Sequence, residues 1–153
     1  MPVHHHAHHL RIGRHSIHGQ IYLVTCVVRN RDAVFSNLWI GRRLMTEMRS
    51  LHVAGYVRSL AWVVMPDHVH WLFELRSGSL SQLMQRLKGR SAYVINKHFG
   101  NKMLCWQKGY HDHAARRDED VLKVAGYVIA NPIRAGLVQR VGDYPLWDAV
   151  WIP

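Results

Sequence analysis

His68 and His70 flank Val69 in the run Met65-Pro66-Asp67-His68-Val69-His70-Trp71-Leu72-Phe73-Glu74-Leu75. β-Branched and aromatic residues alternate there with polar ones, which predicts a strand entered at Pro66. Strand side chains alternate between faces, so Val69, Trp71, Phe73 and Leu75 share an apolar face and His68, His70, Leu72 and Glu74 share the other. Two imidazoles then project side by side, away from the expected core. Each offers a neutral ring nitrogen, and the pair suits two ligands of one divalent metal. A His-x-His pair also arises by chance in a chain with 13 histidines, so the spacing alone leaves a surface pair and a metal site both open.

A second polar group recurs along the last predicted helix, Asp118 to Asn131. Val121, Leu122, Val124, Ala125, Val128 and Ile129 give that helix a core face. Asp120, Lys123, Tyr127, Asn131 and Arg134 instead follow i, i+3, i+4 spacing, with Arg134 beyond a break or kink at Pro132. If this stripe turns toward His68 and His70, a phenol stands next to a metal. Lys123, one turn before Tyr127, could favour a phenolate or hold a phosphate. Without the histidine pair, Tyr127 reads as a half-buried tyrosine with a satisfied hydroxyl.

The elements that must position these groups follow from periodicity. Ile21 to Val28 is a first strand, and Arg29 to Asp32 a charged turn. Leu38, Leu44, Met45, Met48 and Leu51 recur at helical spacing between Asn37 and about Ala54, where Gly55 supplies the C-terminal stop. Tyr56 to Met65 is a second strand, and the Met65-Pro66-Asp67 link to the histidine strand is short enough to require an antiparallel hairpin. Ser79 caps a second helix that carries Leu80, Leu83, Met84, Leu87, Val94 and Ile95 to about Phe99. A short fourth strand is expected around Met103 to Gly109. Asp118-Glu119-Asp120 puts acidic residues at the start of the last helix, where the dipole favours them. Trp147 and Trp151 fall in an irregular tail expected to fold back on the domain. The order β-α-β-β-α-β is that of a ferredoxin-like α+β fold, an antiparallel sheet with two helices on one face, here with an additional C-terminal helix carrying Tyr127. The first two helices then cover Val69, Trp71 and Phe73, leaving His68 and His70 to face the last helix and any bound polymer.

Size and charge narrow the partner. A chain of 153 residues fits one domain, taken as 10–153, with the His-rich arm 1–9 excluded from the fold. Lys and Arg outnumber Asp and Glu by 20 to 10, a formal charge of +10 that predicts an anionic partner, nucleic acid before a membrane surface. No apolar run approaches the roughly 20 residues that cross a bilayer, and no apolar core of a signal peptide is visible. Cys26 and Cys105 lack C-x-x-C spacing, which fits a reduced, cytoplasmic compartment. Arg11, Arg14, Arg29, Arg86, Lys88 and Arg90 are the candidate contacts to a nucleic-acid backbone, with Lys123 and Arg134 beside the tyrosine.

Met65-Pro66-Asp67-His68-Val69-His70 resembles the His-hydrophobic-His (HUH) motif of single-tyrosine transposases. Tyr127-Val128-Ile129-Ala130-Asn131-Pro132-Ile133-Arg134-Ala135-Gly136-Leu137-Val138 resembles the nucleophile helix of one branch, the REP-associated tyrosine transposases. Leu10-Arg11-Ile12-Gly13-Arg14, Trp106-Gln107 and His111-Asp112-His113 are similar to that branch too, so the likeness runs from about Leu10 to Trp151. The resemblance implies a ferredoxin-like fold, a divalent metal (Mg2+ or Mn2+), and cleavage and rejoining of single-stranded or hairpin DNA at repeats through a 5′-phosphotyrosine. It implies a monomer or homodimer on the nucleoid rather than at a membrane. It assigns His68 and His70 as metal ligands and Tyr127 as nucleophile. Asn131 falls where the wider superfamily places a glutamine ligand, one methylene longer. Two other classes use part of the same sequence. A non-catalytic ferredoxin-like module binding single-stranded nucleic acid needs the basic surface but not Tyr127. A metal-dependent hydrolase activating water needs a further ligand such as Glu74 or Asp67.

Overall fold

Seven residues of alternating burial, Ile21–Val27, form β1, a strand near the middle of the sheet. In the computed structural model, which describes residues 16–116 and 118–150, it is followed by α1 (Leu38–Val53), β2 (Val57–Met65), β3 (His68–Leu75), α2 (Leu80–Phe99) and β4 (His111–Ala115). Then come α3 (Asp118–Ile129), the single helical turn α4 (Asn131–Arg134) and β5 (Trp147–Ala149). The sheet order is β4-β1-β3-β2-β5, every pair antiparallel. The first six elements are the ferredoxin-like β-α-β-β-α-β unit, and α3 is the additional C-terminal helix. No described helix is long and apolar enough to cross a membrane.

Local chemistry sets the helix limits. The Asn37 side chain accepts the backbone N–H groups of Trp39 and Ile40 at the start of α1. Gly55, at φ +85°, takes the left-handed conformation that ends it. Ser79 and Gln82 form a capping box at the start of α2.

Both faces of the sheet are covered. Leu44 and Met48 of α1 and Leu83 and Leu87 of α2 bury Val24, Trp71 and Phe73. Trp71 Nε1 donates to Ser59 Oγ at 2.9 Å. Buried Glu47 meets Arg43 at 4.0 Å and Arg90 of α2 at 3.6 Å, joining the two helices. On the other face Val121, Ala125 and Val128 of α3 lie against Leu60, Ala61, Val63 and Leu72. A register shift between Ser59 and Ala61 turns both Leu60 and Ala61 to this side, widening the apolar seat for α3. That seat is met along the line 121–125–128, so Leu122, read from the sequence as part of the core face, is 56% exposed.

The fourth strand lies later than the apolar residues suggested. Within 103–109 only Trp106 bridges to Val28, and β4 forms at His111–Ala115 on the outer edge of β1. The earlier segment plugs the core beside α2 instead. Asn96 exchanges hydrogen bonds with Leu104 N and O at 2.7 and 3.1 Å. Trp106 Nε1 donates to buried Ser91 at 3.1 Å, and Lys88 Nζ donates to the carbonyls of Gln107 (2.7 Å) and Gly109. The tail is more regular than expected. Tyr144 Oη donates to Val64 O at 2.5 Å, Val64 N donates to Leu146 O at 2.8 Å, and Trp147 enters β5. Leu146 is buried over Gly41 of α1, where a Cβ would run into its side chain. Trp151, the arm 1–9 and the segment holding Arg11 and Arg14 lie outside the described residues.

Candidate functional site

Strand register brings the polar groups of the second face together. His68 stands opposite Val27 and Met65, and His70 opposite Thr25 and Val63. Directly opposed residues share a face. The two imidazole centroids are 4.8 Å apart, with the rings nearly perpendicular. Each ring is held through its Nδ1: His68 Nδ1 lies 2.6 Å from Asp67 Oδ1, and His70 Nδ1 lies 2.7 Å from Thr25 Oγ1. Nε2 is the nitrogen each ring leaves open, and it can accept a metal in the tautomer that carries the proton on Nδ1. Arg31 Nη1 donates to the other Asp67 oxygen at 3.1 Å. Partial burial works to raise the Asp67 carboxyl, but hydrogen bonds and positive charge from His68 and Arg31 outweigh it and hold the carboxyl below its ordinary value. Burial, and then the charges of His68 and Arg134, push His70 down to about 4, keeping it in the neutral form that ligation needs.

Helix α3 supplies the third group. Because Val128 is anchored in the apolar seat, Tyr127 is carried to its flank, its ring centroid 6.5 Å from that of His70 and its side chain 53% exposed. The helix ends at Ile129, two residues before the limit read from the sequence, and Asn131 opens α4 with buried Pro132 behind it. Arg134 returns over Tyr127, its Cζ 3.8 Å from the ring centroid. Lys123, a turn earlier, lines an open groove with Gln20, Tyr22, His113, Arg116 and Asp120.

The donor set fits a hard divalent cation only with help from an amide or a bound anion. Among the described residues no three His, Cys, Asp or Glu side chains converge. Glu74 accepts from Arg58 at 2.8 Å and Arg76 at 3.4 Å, and both Asp67 oxygens are occupied as described. Asn131 is the remaining candidate. Its Nδ2 is buried without a hydrogen-bond partner. Turned over about its last bond, the amide would set its carbonyl oxygen at that place, the kind of acceptor magnesium or manganese takes.

The other cations named from the sequence are scattered. Arg29 follows the strand end beside His68 and turns onto Cys105 Sγ at 2.7 Å. Arg86 stacks on Tyr56 at 4.7 Å, Lys88 braces the 107–109 carbonyls, and Arg90 pairs with Glu47, all on the helix layer away from the histidines. Of the named cations among the described residues, Lys123 and Arg134 lie on α3 and α4, on the histidine side of the sheet with Tyr127. Thr25 was not singled out in the sequence. A lone hydroxyl in an apolar strand was the available signal, but its pairing with His70 needs the strand register.

The family model described as "Transposase IS200 like" matches residues 16–131. A REP-associated tyrosine transposase of Escherichia coli K12 is 31% identical over 87 residues, 56% of this chain and 50% of that protein, so the matched region spans half of that relative's length. A Haemophilus influenzae protein assigned by name to the same group is 23% identical over 138 residues, covering 83% of this chain and 78% of its own. Among solved structures, a REP-associated tyrosine transposase bound to a REP hairpin superposes with a TM-score of 0.74 at 25% identity, over 88% of this chain and 79% of that one.

Proposed function

The chain belongs to the IS200-like transposase family, and on that premise we propose that it cleaves and rejoins single-stranded DNA at hairpin-forming repeats, with Tyr127 as nucleophile. The observation that carries this reading is the meeting of three side chains from separate elements: His68 and His70, with ring centroids 4.8 Å apart, and Tyr127, 6.5 Å from His70. A module that only bound nucleic acid would have no use for two histidines oriented by Asp67 and Thr25. A water-activating hydrolase would need a free carboxylate, and Glu74 and Asp67 are both engaged.

In the proposed reaction Tyr127 Oη attacks the scissile phosphorus. The new P–Oη bond forms as the P–O3′ bond breaks, and the phenolic proton leaves as the 3′ oxygen is released as a hydroxyl. The strand's 5′ phosphate stays on Tyr127. A second 3′-hydroxyl reverses the step and reseals the strand, since the phosphodiester linkage is conserved in the intermediate. A tyrosine hydroxyl, of ordinary pKa about 10, is a weak nucleophile at neutral pH. His68 and His70, with Asn131 as a further donor, would hold the magnesium or manganese that supplies Lewis-acid polarisation of the phosphate. Asp67 and Thr25 fix the two imidazoles, and neutral His70 adds no competing charge. Lys123, one turn before Tyr127 on α3, would hold the phosphate backbone.

Incubation with 3′-labelled hairpin DNA and manganese tests the proposal. A labelled band of protein size should persist on a denaturing gel and vanish in Tyr127→Phe, with hairpin affinity nearly unchanged. An adduct at normal yield in Tyr127→Phe would refute the assignment.

A further inference from the structure

Tyr127 is not held by burial. More than half of its side chain is exposed, and among the described residues no hydrogen bond holds its hydroxyl. A nucleophile that must meet phosphorus in line needs a fixed orientation. The break after α3 supplies one. Pro132 has no N–H to offer the carbonyl of Val128, so the helical ladder gives out there. Ala130 N still donates to Gly126 O at 3.1 Å, but the next carbonyl, that of Tyr127, is taken by Arg134 Nη2 at 2.5 Å. Ile133 N and Arg134 N both turn back onto Ala130 O at 3.1 Å, and that tight turn carries Arg134 over the tyrosine ring. One guanidinium thus fixes the backbone carbonyl and the ring face of the same residue. A planar fork with several donors can do both at once, whereas an ammonium cannot.

We infer that Arg134 is the positioning residue of the nucleophile, locking the Tyr127 ring in the orientation from which its oxygen reaches a phosphate beside His68 and His70. This rests on the reading of Tyr127 given above. It separates Arg134 from a general DNA contact, because the guanidinium acts through the tyrosine. It also differs from a helix cap alone, because a cap has no bearing on the ring.

The test uses the full chain, labelled hairpin DNA and manganese, and compares Arg134→Ala, Arg134→Lys and Tyr127→Phe. Three quantities are read: the single-turnover rate of adduct formation, hairpin affinity, and the 19F line of 3-fluorotyrosine placed at position 127 in the Arg134 variants. Arg134→Ala should slow adduct formation by about 100-fold, the scale of a misplaced reacting group, with little change in hairpin affinity. Arg134→Lys, which keeps a cation at the helix end, should recover melting temperature but not rate, and the 19F line should move in both variants. A rate that simply follows melting temperature, an unmoved 19F line, or a defect confined to affinity would overturn the inference. An adduct lost in Tyr127→Phe but formed at full rate in Arg134→Ala overturns positioning and leaves the nucleophile standing. An adduct retained in Tyr127→Phe removes both.

Discussion

At the scale of single residues, the site depends on what holds each functional atom. Both histidines are tied through Nδ1, to Asp67 at 2.6 Å and to Thr25 at 2.7 Å, and such outer partners fix ring orientation and raise ligand basicity. Thr25→Val keeps shape and burial while removing the hydroxyl, so it isolates that contribution. It should weaken Mn2+ binding by about 10-fold or more, measured by titration calorimetry on the DNA-free protein. Unchanged affinity would mean that the Thr25 contact does not tune His70 as a ligand. Asn131→Ala should likewise raise the manganese needed for cleavage, with activity partly restored at excess metal. A lower melting temperature with the same metal requirement would instead make Asn131 a structural residue at the start of α4. His68, His70 and Tyr127 could be picked out in the sequence because their types carry chemistry. Thr25 could not, since a hydroxyl gains its meaning only from the residue across the sheet.

At the scale of elements, α3 covers the face of the sheet opposite α1 and α2. Its contact line is short, with Val121, Ala125 and fully buried Val128 meeting Leu60, Ala61, Val63 and Leu72. Val128→Ala removes two methyl groups next to Tyr127 and should cost about 2 kcal/mol in stability. Urea denaturation measures that loss, and adduct formation should slow beyond what the unfolded fraction explains. Equal activity per folded molecule would mean that α3 does not set the position of Tyr127. The order of strands and helices was readable because β1, β2, β3, α1 and α2 each carry a clear period. Edge elements were not. His111-Asp112-His113-Ala114-Ala115 has no β-branched or aromatic residue, yet it pairs along β1 as β4. Leu104 and Trp106 looked like strand residues but fill a gap in the core, tied there by Asn96 and Ser91. The end of α3 was marked by Pro132, although only the structure shows that Arg134 returns to the helix.

At the scale of the whole molecule, the excess of 20 basic over 10 acidic residues is unevenly employed. On the helix layer, Arg90 meets Glu47 and Arg86 covers Tyr56, whereas Arg134 lies over the Tyr127 ring and Lys123 stands one turn before it on α3. Composition gives the sum of the charges, but only the fold distributes them between faces. Hairpin affinity should fall steeply as salt rises, and Lys123→Gln should reduce the slope of log K against log salt by about one contact's worth. Arg90→Gln should lower thermal stability and leave that slope unchanged; equal slopes for the two variants would assign the binding face wrongly. The proposed reaction joins a single tyrosine covalently to DNA. Trypsin cuts after Lys123 and Arg134, releasing Val124 to Arg134, a peptide with Tyr127 as its single tyrosine. Mass spectrometry of the nuclease-trimmed adduct should find a nucleotide phosphate on Tyr127 in that peptide and on no other residue. Its presence on a different tyrosine, or a cleaved strand with no modified peptide at all, would contradict the account.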